Sequence, residues 1–144
     1  MRIIIQSPPQ GEEESVTISV RNMTENVNRA INILKSPDGL TVYADEQALV
    51  LPLREIFYLE SVDLKTFVYA EKTVYRSKLK LYEAEASLVN GDFLRISKQA
   101  IVNIRKIYSV APAGAGCFLA NLTNGEKIVI SRQYAPALKE RFGL

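Results

Sequence analysis

Three short clusters of basic and amide side chains carry the recognition chemistry that this sequence offers. They occupy residues 95–99, 103–106 and 131–134. Arginine can bridge two acceptors on a guanine edge, glutamine can pair with adenine, and lysine or serine can bind bases or phosphates. One such cluster is weak evidence, because exposed loops are commonly polar. Three clusters in the same half of the chain favour a surface that binds nucleic acid.

The charge is segregated along the chain, although the net charge is only +2. Residues 1–45 hold four basic and six acidic side chains, whereas residues 93–144 hold eight basic side chains against Glu126 and Glu140. A concentrated positive field attracts polyphosphate. A basic face that serves only solubility would have the same appearance. Charge alone therefore leaves both interpretations open.

The residues that enzymes use most are missing or isolated in this sequence. There is no histidine, which removes the usual general base and the commonest metal ligand. Cys117 is the single cysteine, so neither an internal disulfide nor a cysteine metal cluster can form. Neither GxGxxG nor GxxxxGK[ST] occurs. We predict that the protein is not an enzyme and has no metal, cofactor or small-molecule substrate.

Short strands dominate from residue 40 onward and must position the three clusters. Asn124-Gly125 predicts a type I′ turn between the last two strands. Ser131 predicts the entrance of a terminal helix with Pro136 in its early part. The result is a mostly β (α+β) fold. Its expected strands are 40–44, 47–51, 55–60, 66–70, 73–76, 93–96, 107–110, 117–122 and 127–130, with a short helix over 81–88.

Residues 1–44 have a different pattern and are predicted as a β-β-α segment. Strands are expected at 2–6 and 16–20, followed by a helix capped by Asn22. The segment is too small for a core of its own, so it is expected to pack on residues 45–144 and to serve dimerisation or regulation. No signal peptide or membrane helix is evident, which predicts a cytoplasmic protein.

Residues 45–144 resemble the LytTR DNA-binding domain of bacterial response regulators. The β-β-α start resembles the stand-alone LytTR regulators of Gram-positive bacteria, which lack a receiver domain. The matching segments occur in order and at the family's spacing. They are residues 55–60, residues 75–79 leading into a helix with Leu81 and Glu85, residues 93–103, residues 122–128 and residues 130–134.

The resemblance implies a transcriptional regulator that inserts loops, not a recognition helix, into successive major grooves of double-stranded DNA. It implies a homodimer on repeated half-sites, and a regulatory membrane protein encoded nearby is a plausible partner. A protein- or RNA-interaction module using the same basic surface is the alternative. Residues 113–116 resemble a third contact region, but they offer no polar side chain and would instead approach the DNA backbone closely.

The resemblance also assigns roles to single residues. Arg132 corresponds to an arginine that reaches a base, and Gln133 follows it. Ser97 stands where response-regulator members carry a base-contacting histidine. Lys98 or Gln99 could take over that readout, or this loop could make only phosphate contacts. The remaining predicted DNA contacts are with phosphates, from Arg95, Arg105 and Lys106, whereas Asn103 is expected to cap a turn.

Overall fold

The structure is a computed structural model that describes residues 2–35, 39–88 and 92–144. The chain divides into two units, residues 1–34 and 35–144. Across the described residues, no helix is both long enough and apolar enough to cross a membrane.

Among the described residues of the N-terminal unit, the one regular element is the helix α1 (Glu25–Lys35), whose last residue falls just past the division. Its first turn is capped by Thr24, not by Asn22, because the Val27 N–H donates to Thr24 Oγ1 at 3.3 Å. The two strands predicted at 2–6 and 16–20 are wrong, since the described residues 2–22 form no strand. Alternating apolar residues define a face, but a strand also needs a hydrogen-bonded neighbour.

The second unit is mostly β, as predicted, and its described residues form ten strands and two short helices. Two 3-10 turns interrupt the strands, at Leu53–Glu55 and Ile104–Lys106. The strands are β1 (Gly39–Ala44), β2 (Gln47–Pro52), β3 (Tyr58–Val62), β4 (Lys65–Tyr69), β5 (Val74–Ser77), β6 (Phe93–Arg95), β7 (Ala100–Asn103), β8 (Ile107–Pro112), β9 (Phe118–Leu122) and β10 (Lys127–Ile130). The helices are α2 (Leu81–Ser87) and α3 (Ala135–Phe142).

The strands form two antiparallel sheets. Seven strands pair in the order β2-β1-β5-β4-β3-β7-β6, and three pair in the order β10-β9-β8. β1 pairs with both β2 and β5, so residues 39–44 belong to this unit and not to the N-terminal segment. The structure therefore draws the boundary earlier than residue 44.

Two apolar cores lie on opposite faces of the seven-stranded sheet. Ile101 points to the core that α2 covers with Leu81 and Ala84. Its neighbour Val102 points to the core shared with the three-stranded sheet and with Leu138 of α3. Both β7 side chains are at most 1% exposed, and each contributes about 1.5–3 kcal/mol by leaving water. Burial on both faces fixes β7 firmly between the layers.

Two turns differ in detail from the sequence prediction. Only Gly125 (φ 89°) has a positive φ between β9 and β10, and its N–H donates to the Leu122 carbonyl at 3.0 Å. A type I′ turn requires positive φ at both central residues, so this prediction is wrong. The hairpin closes where the Leu122 N–H donates to the Glu126 carbonyl at 2.8 Å. The terminal helix begins at Ala135, after a preceding turn in which the Tyr134 N–H donates to the Ser131 carbonyl.

Tyr58 stacks on Tyr69 across β3 and β4, with ring centroids 4.2 Å apart. Burial raises the pKa of Tyr58 well above that of free tyrosine, and the carboxylate of Glu126 raises it further. Burial also raises the pKa of Tyr69, with additional contributions from Glu60 and Glu126. Both phenols therefore favour the protonated form in the folded chain.

Tyr58→Phe is expected to reduce the amount by which the free energy of unfolding falls at alkaline pH. Above about pH 10 the unfolded chain loses phenolic protons that the folded chain retains, so the free energy of unfolding falls as pH rises. Urea unfolding at about pH 8 and about pH 11 measures this fall. Tyr108→Phe, at a side chain that is 80% exposed, is the control and should leave the fall unchanged. Equal effects of both variants would contradict the assignment.

Candidate nucleic-acid interface

The β6–β7 loop (residues 97–99) presents the first predicted cluster at one end of the seven-stranded sheet. Its base is fixed by Ile96, which is 1% exposed and whose N–H donates to the Ala100 carbonyl. Ser97 Oγ accepts the Gln99 N–H at 3.1 Å, so this hydroxyl oxygen already supports the turn. Lys98 and Gln99 are exposed. Of the three loop side chains, these two are the freer to meet a ligand.

The β10–α3 segment (residues 131–134) lies directly beside this loop. The Ser131 N–H donates to the Ile96 carbonyl at 2.9 Å. Arg132 and Gln133, the next two residues, are exposed. Within the part of the chain that the structure describes, neither Lys98 nor Arg132 lies within ion-pair distance of a carboxylate. Two unneutralised cations thus share one end of the domain.

The stem of Arg132 packs against the β8–β9 loop (residues 113–117). A Cβ atom on Gly116 would lie 2.6 Å from Arg132 Cγ and 2.7 Å from Cδ. Gly116 also has φ 79°, which a glycine adopts without strain. The loop therefore supports Arg132 through close backbone contact, a role for which it needs no polar side chain.

Arg95 belongs to the same end of the sheet, but its guanidinium is turned inward. Nε donates to the Ser97 carbonyl at 2.7 Å, and one terminal nitrogen donates to the Lys98 carbonyl at 2.5 Å. The other terminal nitrogen pairs with Glu85 Oε2 at 2.7 Å, and the side chain is 21% exposed. Arg95 was predicted to contact a phosphate, but all three of its guanidinium nitrogens bond to groups within the chain.

Arg105 and Lys106 lie at the opposite end of β7 from Lys98, because they follow Asn103 whereas Lys98 precedes Ala100. Arg105 pairs through Nε with the carboxylate of Asp92 and remains exposed. Lys106 Nζ lies 4.9 Å from the centre of the Phe57 ring. These two cations are not part of the Lys98–Arg132 group.

Asn103 is a structural residue, as the sequence predicted. Its Oδ1 accepts the Arg105 N–H at 3.1 Å, and its Nδ2 donates to the Ile56 carbonyl at 2.9 Å. The side chain is 3% exposed. It caps the 3-10 turn after β7 and ties that turn to the chain before β3.

Comparison with known proteins identifies this architecture. Residues 46–143 match the family model of the LytTr DNA-binding domain. The chain belongs to the LytTR family. A LytTr DNA-binding domain from Bacillus cereus has the same fold, with a TM-score of 0.70 and 30% sequence identity, covering 74% of this chain and 98% of that domain. The LytTR family is a class of DNA-binding domains and not a class of enzymes.

Three regulators are similar to this LytTR chain in sequence. The sensory transduction protein LytT of Enterococcus faecalis is 22% identical over 138 residues, covering 92% of this chain and 57% of that protein. YpdB, a transcriptional regulatory protein of Escherichia coli O6:H1, is 26% identical over 92 residues, covering 64% of this chain and 38% of YpdB. An HTH-type transcriptional regulator of Staphylococcus aureus is 26% identical, covering 92% of this chain and 91% of that protein.

The LytTR domain also places an unpredicted lysine beside the interface. The Ser61 N–H at the end of β3 donates to the Gln99 carbonyl at 2.7 Å, which brings the β3–β4 turn next to the β6–β7 loop. Leu64 at the tip of that turn is 99% exposed, and Lys65 follows it. A lone lysine at a hairpin end carries no sequence signal. Only the pairing of β3 with β7 shows where it lies.

Gly116→Ala is expected to displace Arg132 and to weaken DNA binding by the LytTR domain. Gly114→Ala is the matched control, because Gly114 also has a positive φ (85°) but a Cβ atom added to it would meet no atom within 4 Å. In both variants, alanine at a positive φ lowers the free energy of unfolding by about 1–3 kcal/mol. Only Gly116→Ala should also lower the affinity for DNA, measured by titration, because only its added methyl group meets Arg132. Equal losses would show that the contact with Arg132 is unimportant.

Proposed function

We propose that this chain binds duplex DNA sequence-specifically and regulates transcription, with the β6–β7 loop and the β10–α3 segment inserted into the major groove. The proposal rests mainly on one observation, the Ser131-to-Ile96 hydrogen bond that holds Lys98 and Arg132 at one end of the domain. Membership of the LytTR family supports DNA as the ligand. Most of the affinity would come from counterion release and the selectivity from a few base contacts.

The exposed residues have separable roles in this proposal. Arg132 would bridge the N7 and O6 acceptors of guanine, since its guanidinium has no ion-pair partner among the described residues and its stem is supported by Gly116. Gln99 would pair with adenine, and Lys98 would bind a base or a phosphate. Gln133 would make an adjoining contact. Ser97 would contribute mainly through its turn, because its oxygen already accepts the Gln99 N–H.

Arg132→Ala should remove selectivity and not only affinity. Loss of a bidentate guanine contact costs about 1–3 kcal/mol on the preferred duplex and relaxes the preference at that base pair. The preferred duplex is obtained by selecting with the wild-type chain from a randomised library. Fluorescence anisotropy on this duplex and on a scrambled one measures both quantities. Arg105→Ala is the matched control, because that arginine is exposed at the far end of β7.

The two variants separate the competing interpretations. The control should reduce affinity for both duplexes by a similar, smaller factor. If Arg132→Ala lost the same factor of affinity on both duplexes, Arg132 would be a phosphate contact and not a base contact. Absence of any preferred duplex in the wild-type selection, or tighter binding to an RNA of the same sequence, would refute the proposed function and favour an interaction module on the same basic surface.

We further propose that the chain acts in the cytoplasm as a homodimer on repeated half-sites and that the N-terminal unit supplies the dimer contact. The supporting observation is the exposure of its alternating apolar side chains, which are Val16 at 67%, Ile18 at 39% and Val20 at 45%. Such residues need a second surface to leave water. Residues 16–20 form no strand within this chain, so their backbone has no strand neighbour here. A regulatory membrane protein that binds the same side chains would compete with dimerisation.

Val16→Asp is expected to convert the dimer to a monomer, because a carboxylate would be buried in the contact. Val50→Asp in β2 is the matched control, since Val50 is 62% exposed in the second unit. Light scattering on the full chain measures the molar mass. If only Val50→Asp dissociates the dimer, the contact lies at the β2 edge, and a wild-type monomer on and off DNA would exclude a homodimer altogether.

A further inference from the structure

We propose that Arg95 is a positioning residue that holds the β6–β7 loop in its DNA-binding shape from inside the protein. This inference rests on the proposed function and deepens it. It replaces the phosphate contact that the sequence suggests for this arginine. In this role Arg95 does not touch DNA. It orders the loop backbone that carries Lys98 and Gln99, and these two residues make the contacts.

The contacts of the guanidinium form a bridge between the loop and α2. Two of its nitrogens donate to successive loop carbonyls, those of Ser97 and Lys98, at 2.7 and 2.5 Å. The third nitrogen pairs with Glu85 Oε2 on α2 at 2.7 Å. Because the loop has little side-chain packing of its own, these bonds hold its carbonyls toward the protein and leave the Lys98 side chain outward.

The position of Arg95 in the sheet explains why its side chain points this way. Arg95 pairs with Ile101 across β6 and β7, so both side chains lie on the face that α2 covers. Leu94 and Val102 take the opposite face. Arg95 is thus enclosed between α2 and the loop, and only 21% of its side chain is exposed. A phosphate contact would require it to give up Glu85 and both carbonyls.

Lysine cannot replace arginine in this bridge. The planar guanidinium presents donors in several fixed directions, whereas an ammonium is a single charged point on a flexible stem. Arg95→Lys therefore retains the charge but cannot reach both carbonyls and Glu85 together. If Arg95 acted as a simple cation toward phosphate, the same substitution would preserve most of its effect. The conservative variant thus distinguishes geometry from charge.

The experiment compares wild type, Arg95→Lys, Arg95→Ala and the control Arg141→Lys in the full chain. Arg141 is also near a carboxylate, with its guanidinium 3.9 Å from Asp92, but the described hydrogen bonds to the Ser97 and Lys98 carbonyls come from Arg95 and not from Arg141. Affinities for the selected and scrambled duplexes are measured over a range of salt concentrations. Amide hydrogen exchange at Ser97 and Gln99 and the thermal midpoint are measured without DNA.

A positioning role predicts a distinct combination of results. Both Arg95 variants should lose on the order of tenfold in affinity for the selected duplex. Arg95→Lys should bind the scrambled duplex within about twofold of wild type and keep the same salt dependence. Amide exchange at Ser97 and Gln99 should accelerate in both variants, while Arg141→Lys resembles wild type. If Arg95→Ala fails to fold, Arg95→Lys still gives each of these readouts.

Two results would overturn the inference. One is that Arg95→Lys binds the selected duplex with near-wild-type affinity while the affinity of Arg95→Ala falls less steeply with salt, by about one phosphate contact. That pair of results would assign Arg95 to a phosphate contact. The other is unchanged amide exchange in Arg95→Lys. Failure of the proposed function is a separate result, because a wild-type chain without any preferred duplex leaves the amide exchange test intact.

Discussion

β7 is buried on both faces, and the position of the whole interface depends on this constraint. Ile101 lies in the core under α2, and Val102 lies in the core under the three-stranded sheet. A shift of one residue would exchange the two side chains and disturb both cores at once. The register of β7 is therefore strongly fixed, and with it the points at which the flanking segments leave the sheet.

Backbone hydrogen bonds join neighbouring segments at one end of the domain to the residues that lead into this strand. The Ile96 carbonyl accepts the Ser131 N–H, and the Gln99 carbonyl accepts the Ser61 N–H. Each bond connects segments that are more than thirty residues apart. Three stretches of chain are thus held together at one end of the domain. Loops on a rigid scaffold are a common way to hold recognition residues at fixed spacing.

The sequence predicted what depends on local pattern and missed what depends on pairing. Alternation and turn residues correctly indicated the β1–β2 hairpin and the strands around it. The same alternation at 16–20 gave a false strand, because the pattern contains no information about a neighbouring strand. Residue type alone could not separate Arg95, enclosed under α2, from Arg132, exposed beside it. It also could not show that Arg105 lies far from Lys98. The four-residue strand β7 runs between them, so the two side chains lie at opposite ends of that strand.

Arg95 bonds to the β6–β7 loop through backbone acceptors, although Glu85 also anchors its guanidinium and Ser97 Oγ accepts a further bond within the loop. Arg95 donates to the carbonyls of residues 97 and 98, which are present whatever side chains those positions carry. The shape of the loop is thereby largely decoupled from the identity of its outward side chains. If Lys98 and Gln99 read bases as proposed, substitution at either position would change the preferred bases and leave the loop backbone as it is. On the proposed function, such an arrangement lets related regulators diverge in their target sites through single substitutions at these two positions.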